Sequence, residues 1–355
     1  MISIKKPRLG ISIVPNSKFL KAALPLFAAQ QVEIVEWSFD TLKGAIQQPA
    51  WLPLLLKEYS AKNRLLGHGV FYALLDANWG SRQENWLKRL EQETLTHNYA
   101  QISEHFGLMS SENAHEGFPL PFSLSNSALQ IGIDRLKRLR AAARVDVGIE
   151  NLALTPNTLA ILDQGEFMFK LVNPVNGFII LDLHNVYCQS ENFGIDMMTI
   201  IKSYPISLVK EIHISGGSWD NDPSLTRTIR RDTHDGRVPE AILELLPEVL
   251  AICPILEYII FEKMGDSFQM EIDGINFRAD FQKIRKILDA SAISIKAKEE
   301  KEITDNLGPP VIDLELFQEQ KALRKSIASG KYDSSYEWDK DIWRVATKLY
   351  KKWNN

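Results

Sequence analysis

A chain of 355 residues with 45% hydrophobic and 24% charged residues can form one large α/β barrel or two smaller domains. A net charge of −4 supplies no basic face for nucleic acid, so no nucleic-acid partner is expected. Two cysteines, Cys188 and Cys253, exclude a disulfide framework and a thiolate-rich zinc site.

The chain opens on MISIKKPRLGISIVPN, where no long apolar run precedes Pro15, so no export signal is expected. Short β-branched runs then alternate with helical segments. The expected strands are residues 9–14, 32–38, 65–70, 101–107, 146–152, 177–185, 209–215 and 257–263. Their near-continuous apolar character suits strands buried on both faces of a parallel sheet. Between the third and fourth, residues 81–100 read as a helix opening on a Ser81-x-x-Glu84 capping box. Between the seventh and eighth, residues 238–252 read as a helix with Pro239 near its start, where a missing N–H costs little. The most apolar stretch, residues 241–261, carries three glutamates and two prolines. It reads as a helix followed by a strand, not a membrane span, and a cytoplasmic location is expected. Eight strand–helix units predict a (β/α)8 TIM barrel over residues 1–290, with its active site at the C-terminal strand ends.

Past residue 290 the composition shifts. KAKEEKE (296–302) reads as a charged linker, and two helical segments follow, so residues 291–355 form a C-terminal helical extension. The last segment opens on Ser334-x-x-Glu337 and carries Trp338, Ile342, Val345, Leu349 and Trp353 at helical spacing. Such a stripe either packs back on the barrel or docks a partner protein or a peptide leader.

The predicted strand ends carry Glu36, His68, Glu104, His105, Glu150, Asn151, Asp182, His184, Asn185, His213 and Glu262. Asp232, His234 and Asp235 stand in RDTHDGRV, in the loop after the seventh strand, on the same face. Five of the seven histidines fall on this rim; His97 belongs to a predicted helix and His115 to a loop. Singly, each residue has a plain structural reading, such as an aspartate capping a turn. Together they would leave several buried charges without partners, which favours metal. Imidazoles, carboxylates and a carboxamide without thiolate suit iron, manganese or zinc. Asp182 and Asn185 differ by an odd number, so they converge only if the strand ends before Asn185.

The ordered set GHGV, SEHFG, GIENL, LDLHNVY, EIHISGG, DTHDGRVPEAILELL and IIFEK resembles the multinuclear non-haem iron-dependent oxidative enzymes (MNIO), a family that includes the iron oxidase of methanobactin biosynthesis. The resemblance runs strand by strand through the barrel. It implies a TIM barrel holding two or three irons and acting, with O2 as co-substrate, on a residue (a cysteine in several members) of a ribosomally synthesised precursor peptide. By matched motif the iron ligands are His68, His105, Glu150, Asp182, Asn185, His213, Asp232, His234 and Glu262, with Glu150, Asp182, Asp232 and His234 as the catalytic group. His184, Glu104 and Asn151 would support those ligands from behind. A partner protein for leader recognition is also implied. The chain departs from the family pattern at His184, where asparagine is usual, at Gly217, where a second histidine commonly follows His213, and at Leu108 and Met109, where an aromatic is missing. The same residues would also serve a zinc or manganese hydrolase or isomerase on a sugar isomerase/endonuclease-like barrel, or a non-catalytic metal-binding scaffold.

Overall fold

The computed structural model describes residues 6–41, 48–110, 115–291, 293, 295–296 and 307–354. Among them, eight parallel strands close a barrel: β1 (Arg8–Ile13), β2 (Ile34–Trp37), β3 (Leu65–Gly69), β4 (Gln101–His105), β7 (Val147–Glu150), β8 (Phe178–Asp182), β9 (Val209–Ile214) and β12 (Tyr258–Phe261). The (β/α)8 barrel is therefore the observed fold. Two hairpins rise from its C-terminal rim. β5 (Leu108–Ser110) pairs with β6 (His115–Leu120) after β4, and β10 (Ser218–Asp220) pairs with β11 (Ile229–Arg231) after β9. His115 thus begins a strand and does not lie in a loop. No helix among the described residues is long and apolar enough to cross a membrane.

Alternation along each strand stacks the barrel interior in layers. Ile34, Leu66, Tyr258 and Ile260 form an apolar floor. Above it lie Glu36, Gln101 and Glu211, all buried, and at the mouth stand His68, His105, Glu150, Asp182, His213 and Glu262.

Two local expectations shift. Strand β8 stops at Asp182, not at residue 185, because Asp182 becomes the N-cap of helix α6 (Leu183–Phe193) and its side chain accepts from the Asn185 N–H. Helix α3 (Ser81–Thr96) is capped one residue earlier than the motif suggested. Gly80 N–H donates to the Gln83 side chain at 3.1 Å, while Glu84 accepts from the Trp79 indole.

The extension folds as α10 (Leu314–Ser329) and α11 (Lys340–Asn354). Residues 297–306, which hold most of the charged linker, lie outside the described residues. Ser334 does not cap the last helix: Ser334–Tyr336 form a single 3-10 turn, and Asp339 accepts from the Asp341 and Ile342 N–H groups at 2.9 and 3.0 Å. The apolar stripe packs inward. Trp338, Ile342 and Val345 are buried, as are Trp343 and Ala346, and Leu349 is partly buried; the Trp353 side chain lies outside the described residues. Helix α11 touches α10, β6 and β11, so it braces both rim hairpins. Polar ties add to this: Asp341 accepts from Thr226 N–H at 3.0 Å, Lys348 pairs with Asp220 at 3.2 Å, and Asp339 N–H donates to Pro156 O at 2.8 Å.

Trp343, wholly buried against Tyr332, Tyr336 and Trp338, gives the first test. Trp343→Ala should cost ~3–5 kcal/mol of stability, read as a lower urea midpoint.

Candidate metal centre

The first group at the mouth is built from three side chains on three strands. The Ser103 hydroxyl donates to Gly67 O at 3.2 Å, which leaves its lone pairs to accept the Nδ1–H of His68 at 2.8 Å. His105 donates its Nδ1–H to Gly69 O at 3.1 Å. As neutral rings, both would turn an unprotonated Nε2 into the mouth; burial holds His105 down at about 4, whereas for His68 burial is outweighed by Glu36 and Glu150, which lift it to about 9. The two Nε2 atoms are 3.4 Å apart, and Glu150 Oε2 lies 3.3 Å from each. Three donor atoms this close repel one another unless a positive charge, a proton on His68 or a metal cation, sits among them. For metal–donor bonds of about 2.1 Å, tetrahedral donors stand about 3.4 Å apart. The spacing fits a metal ion.

Glu150 also belongs to a second group. Its Oε1 lies 3.0 Å from His213 Nδ1, which is 3.6 Å from Glu262 Oε2. Glu150, Asp182, His213 and Glu262 all offer atoms within 4.8 Å of one another. Asp182 Oδ2 is buried without a hydrogen-bond partner among the described residues, and so is Asn185 Oδ1, whose amide nitrogen donates to Asn151 O at 2.9 Å. Asn151 grips the backbone of Asp182 in both directions, accepting its N–H at 2.7 Å and donating to its carbonyl at 3.2 Å. Electrostatics agree with the orphaned oxygens. Burial and the charges of Asp232, Glu150 and Glu262 push the Asp182 carboxyl well above its ordinary range. Burial carries Glu262 to about 7 against the pull of His213 and His234. Carboxylates crowded this closely call for positive charge beyond that of the imidazoles.

The DTHDG loop closes the third side. His234 adopts a left-handed backbone, φ 51°, fixed by Met264 N–H and Ser267 Oγ donating to its carbonyl at 2.9 and 3.2 Å. Lys263 donates to Asp235 O and Gly236 O at 2.6 and 2.7 Å. His234 is thereby turned inward, with Nε2 2.9 Å from Asp232 Oδ1 and Nδ1 3.7 Å from Glu262 Oε2. Asp235 faces solvent and accepts from the Thr233 hydroxyl. His184 has no lone pair left for a metal. Arg230 donates to its Nε2 at 3.2 Å, so its Nδ1–H donates to Asp232 Oδ1 at 2.8 Å. Its ring fills the space beside Gly217, where an added Cβ would stand 2.7 Å from His184 Cε1 and 2.1 Å from Arg231 O.

The structure thus brings His68, His105, Glu150, Asp182, His213 and Glu262 into one cluster, with Asp232 and His234 joined through Glu262 and Asn185 through Asp182. Asn151 and His184 stand behind them. Glu104 does not. It alternates with His105 onto the outer face of β4, where its carboxylate lies over Gly69 beside Trp86 with no hydrogen-bond partner among the described residues. Glu36 sits a layer below the rim. Sequence reasoning missed Ser103, Glu211 and Arg230; for the first two the signal was available, since Ser103 shares a strand face with His105 and Glu211 with His213.

A family description reading RiPP precursor modification enzyme MbnB/TglH/ChrH matches residues 28–271. A UPF0276 protein of Anaeromyxobacter is 26% identical over 220 residues, 61% of this chain and 74% of its own length. One from Bordetella pertussis is 27% identical over 152 residues, 42% of this chain and 52% of its own, so the match spans about half of that relative. Among solved structures, L-ribulose 3-epimerase shares the fold with a TM-score of 0.50 at 12% identity, over 80% of this chain and 95% of that one. A xylose isomerase-like TIM barrel/4-hydroxyphenylpyruvate dioxygenase fusion protein does so with a TM-score of 0.51 at 16% identity, over 80% of this chain and 43% of that one.

The close approach at Gly217 predicts that Gly217→Ala destabilises the chain by ~1–3 kcal/mol, measured by urea unfolding, and loosens the DTHDG loop.

Proposed function

Because the chain belongs to the MbnB/TglH/ChrH family of RiPP precursor modification enzymes, we propose that its barrel mouth holds two or three iron ions and uses O2 to oxidise a residue, with cysteine as the candidate, of a ribosomally synthesised precursor peptide. The observation that carries this reading is the triangle of His68 Nε2, His105 Nε2 and Glu150 Oε2, 3.3–3.4 Å on each side.

Nine donors exceed the four to six positions of one ion, which supports more than one metal. His68, His105 and Glu150 would hold one ion, and Glu150, Asp182, His213 and Glu262 a second. Asn185, Asp232 and His234 supply the remaining positions. Iron, when bound, supplies one-electron chemistry with O2 that no protein side chain provides.

The chain's own residues do the rest. Glu150 joins the two halves through its separate oxygens. His184 holds Asp232 in place, and Asn151 holds Asp182. The side chains of His105, Asp232 and His234 keep 19–23% of their exposure, while those of His68, Glu150, His213 and Glu262 stay below 10%. A peptide therefore approaches over the side bearing His105, Asp232 and His234. Burial pushes the Cys188 thiol well up, with Asp232 adding to the shift, and lifts Cys253 to about 12, so both stay protonated and do not compete for metal. A partner protein that reads the leader would use a surface other than the buried stripe of α11.

Protein purified without oxygen should carry two to three iron atoms by metal analysis and take up O2 when given its peptide. Glu150→Gln and Asp232→Asn should each strip metal and abolish turnover with little change in melting temperature. His184→Asn should cost about 10–100-fold in metal affinity or activity. Stoichiometric zinc, with turnover restored by zinc and not by ferrous iron, would sink the oxidase reading.

A further inference from the structure

The layer beneath the mouth holds two acids that the proposed centre does not use. Glu36 on β2 and Glu211 on β9 are both fully buried. Each faces Nε2 of His213 at 3.3 Å, Glu36 through Oε2 and Glu211 through Oε1. Gln101 donates to the other Glu211 oxygen at 2.6 Å and so fixes that carboxylate from a third strand. Beyond His213, Glu36 has no hydrogen-bond partner among the described residues, although it is buried. The apolar floor of Ile34, Leu66, Tyr258 and Ile260 lies in the layer beneath.

A neutral imidazole has one N–H and one lone pair, and they point in different directions. On its upper side, His213 turns Nδ1 toward Glu150 Oε1 at 3.0 Å and Glu262 Oε2 at 3.6 Å, in the group shared with Asp182. On its lower side, Nε2 meets two carboxylates. A proton on Nε2 has acceptors waiting. A lone pair there would instead face the oxygens of two carboxyl groups in a buried chamber, and the Nδ1–H would stand among the ligands. We propose that Glu36 and Glu211 are positioning residues that hold His213 in its Nε2–H tautomer, so that the Nδ1 lone pair faces the centre formed with Glu150, Asp182 and Glu262. The proposal rests on the reading of that cluster as a metal centre. A carboxylate behind a ligating histidine both fixes its tautomer and raises its basicity.

The same three groups are spaced closely enough to hold a cation of their own. That arrangement would take the one lone pair of a neutral His213 away from the upper group, whose Asp182 Oδ2 has no hydrogen-bond partner among the described residues. It would also place an ion below the mouth, with the ligand cluster above it and the apolar floor beneath.

Zinc, being diamagnetic, is the probe. In zinc-loaded full-length chain labelled with 15N-histidine, two-bond N–H correlations report each ring's tautomer, and the His213 signals are those missing in His213→Asn. The expected result is a protonated Nε2 and a zinc-bound Nδ1. In the isosteric Glu36→Gln/Glu211→Gln variant, zinc affinity by chelator competition should fall about 10–100-fold, with the zinc count at saturation unchanged. A zinc-bound Nε2 overturns the proposal, as does loss of one zinc per chain in the variant, or an affinity equal to the parent's. Should the variant fail to fold, the tautomer in the unaltered chain decides alone. An unaltered chain that takes up no zinc and no ferrous iron removes the metal centre and this proposal together, whereas normal uptake with the other tautomer removes only the proposal.

Discussion

Everything at the barrel mouth depends on one electrostatic constraint: His68, His105 and Glu150 aim two ring nitrogens and a carboxylate oxygen at one point from three different strands. Buried acceptors facing each other without a shared proton are costly, and they persist only where a positive charge compensates. The surroundings hold the conflict in place. Ser103 and the Gly69 carbonyl take the Nδ1 protons, Asn151 anchors the end of β8, and the N-cap of α6 engages one oxygen of Asp182 while leaving the other bare. A protein that only needed stability would have filled these positions with apolar side chains.

The rest of the fold serves that mouth. Its C-terminal face is made of loops, which are mobile unless something ties them down. Here the C-terminal helices do the tying. Gln320 of α10 accepts from Ala77 N–H and donates to Leu75 O, bracing the loop after β3. From α11, Asp341 reaches Thr226 and Lys348 reaches Asp222, both in the long connection between β10 and β11, which leads into the DTHDG loop. Residues beyond the 28–271 family match therefore steady the segment that presents Asp232 and His234. The aromatic cluster around Trp343 anchors this bracing.

A TIM barrel alone does not select a reaction, since the same scaffold carries unrelated chemistries. The distinctive content of this one lies in the number and arrangement of its donors. Glu150 links two groups of potential ligands, and the loop after β11 adds a third part by holding His234 in a left-handed conformation. His184 and Gly217 are coupled in space: the imidazole occupies room that a side chain at position 217 would need.

Much of this was legible in the chain. Runs such as FIILD and YIIF are long enough and apolar enough to be barrel strands, and polar residues gathered at their ends marked the working face. Periodicity also separated the charged linker from the apolar stripe of the last helix, because local sequence determines which residues share a face. It could not say what that face would meet, and only packing against β6, β11 and α10 buried it. Nor could it distinguish Glu104 from its neighbour His105, since the phase of a strand is set by which side the barrel closes on. Asn185 converges with Asp182 because the chain turns helical at residue 183, a local event that the N-cap aspartate foreshadowed. The sequence by itself determined the strands, the donor types and the face they occupy. Which donor atoms face one another was decided by tertiary structure, because that depends on hydrogen bonds between residues 35 to 48 positions apart in the chain.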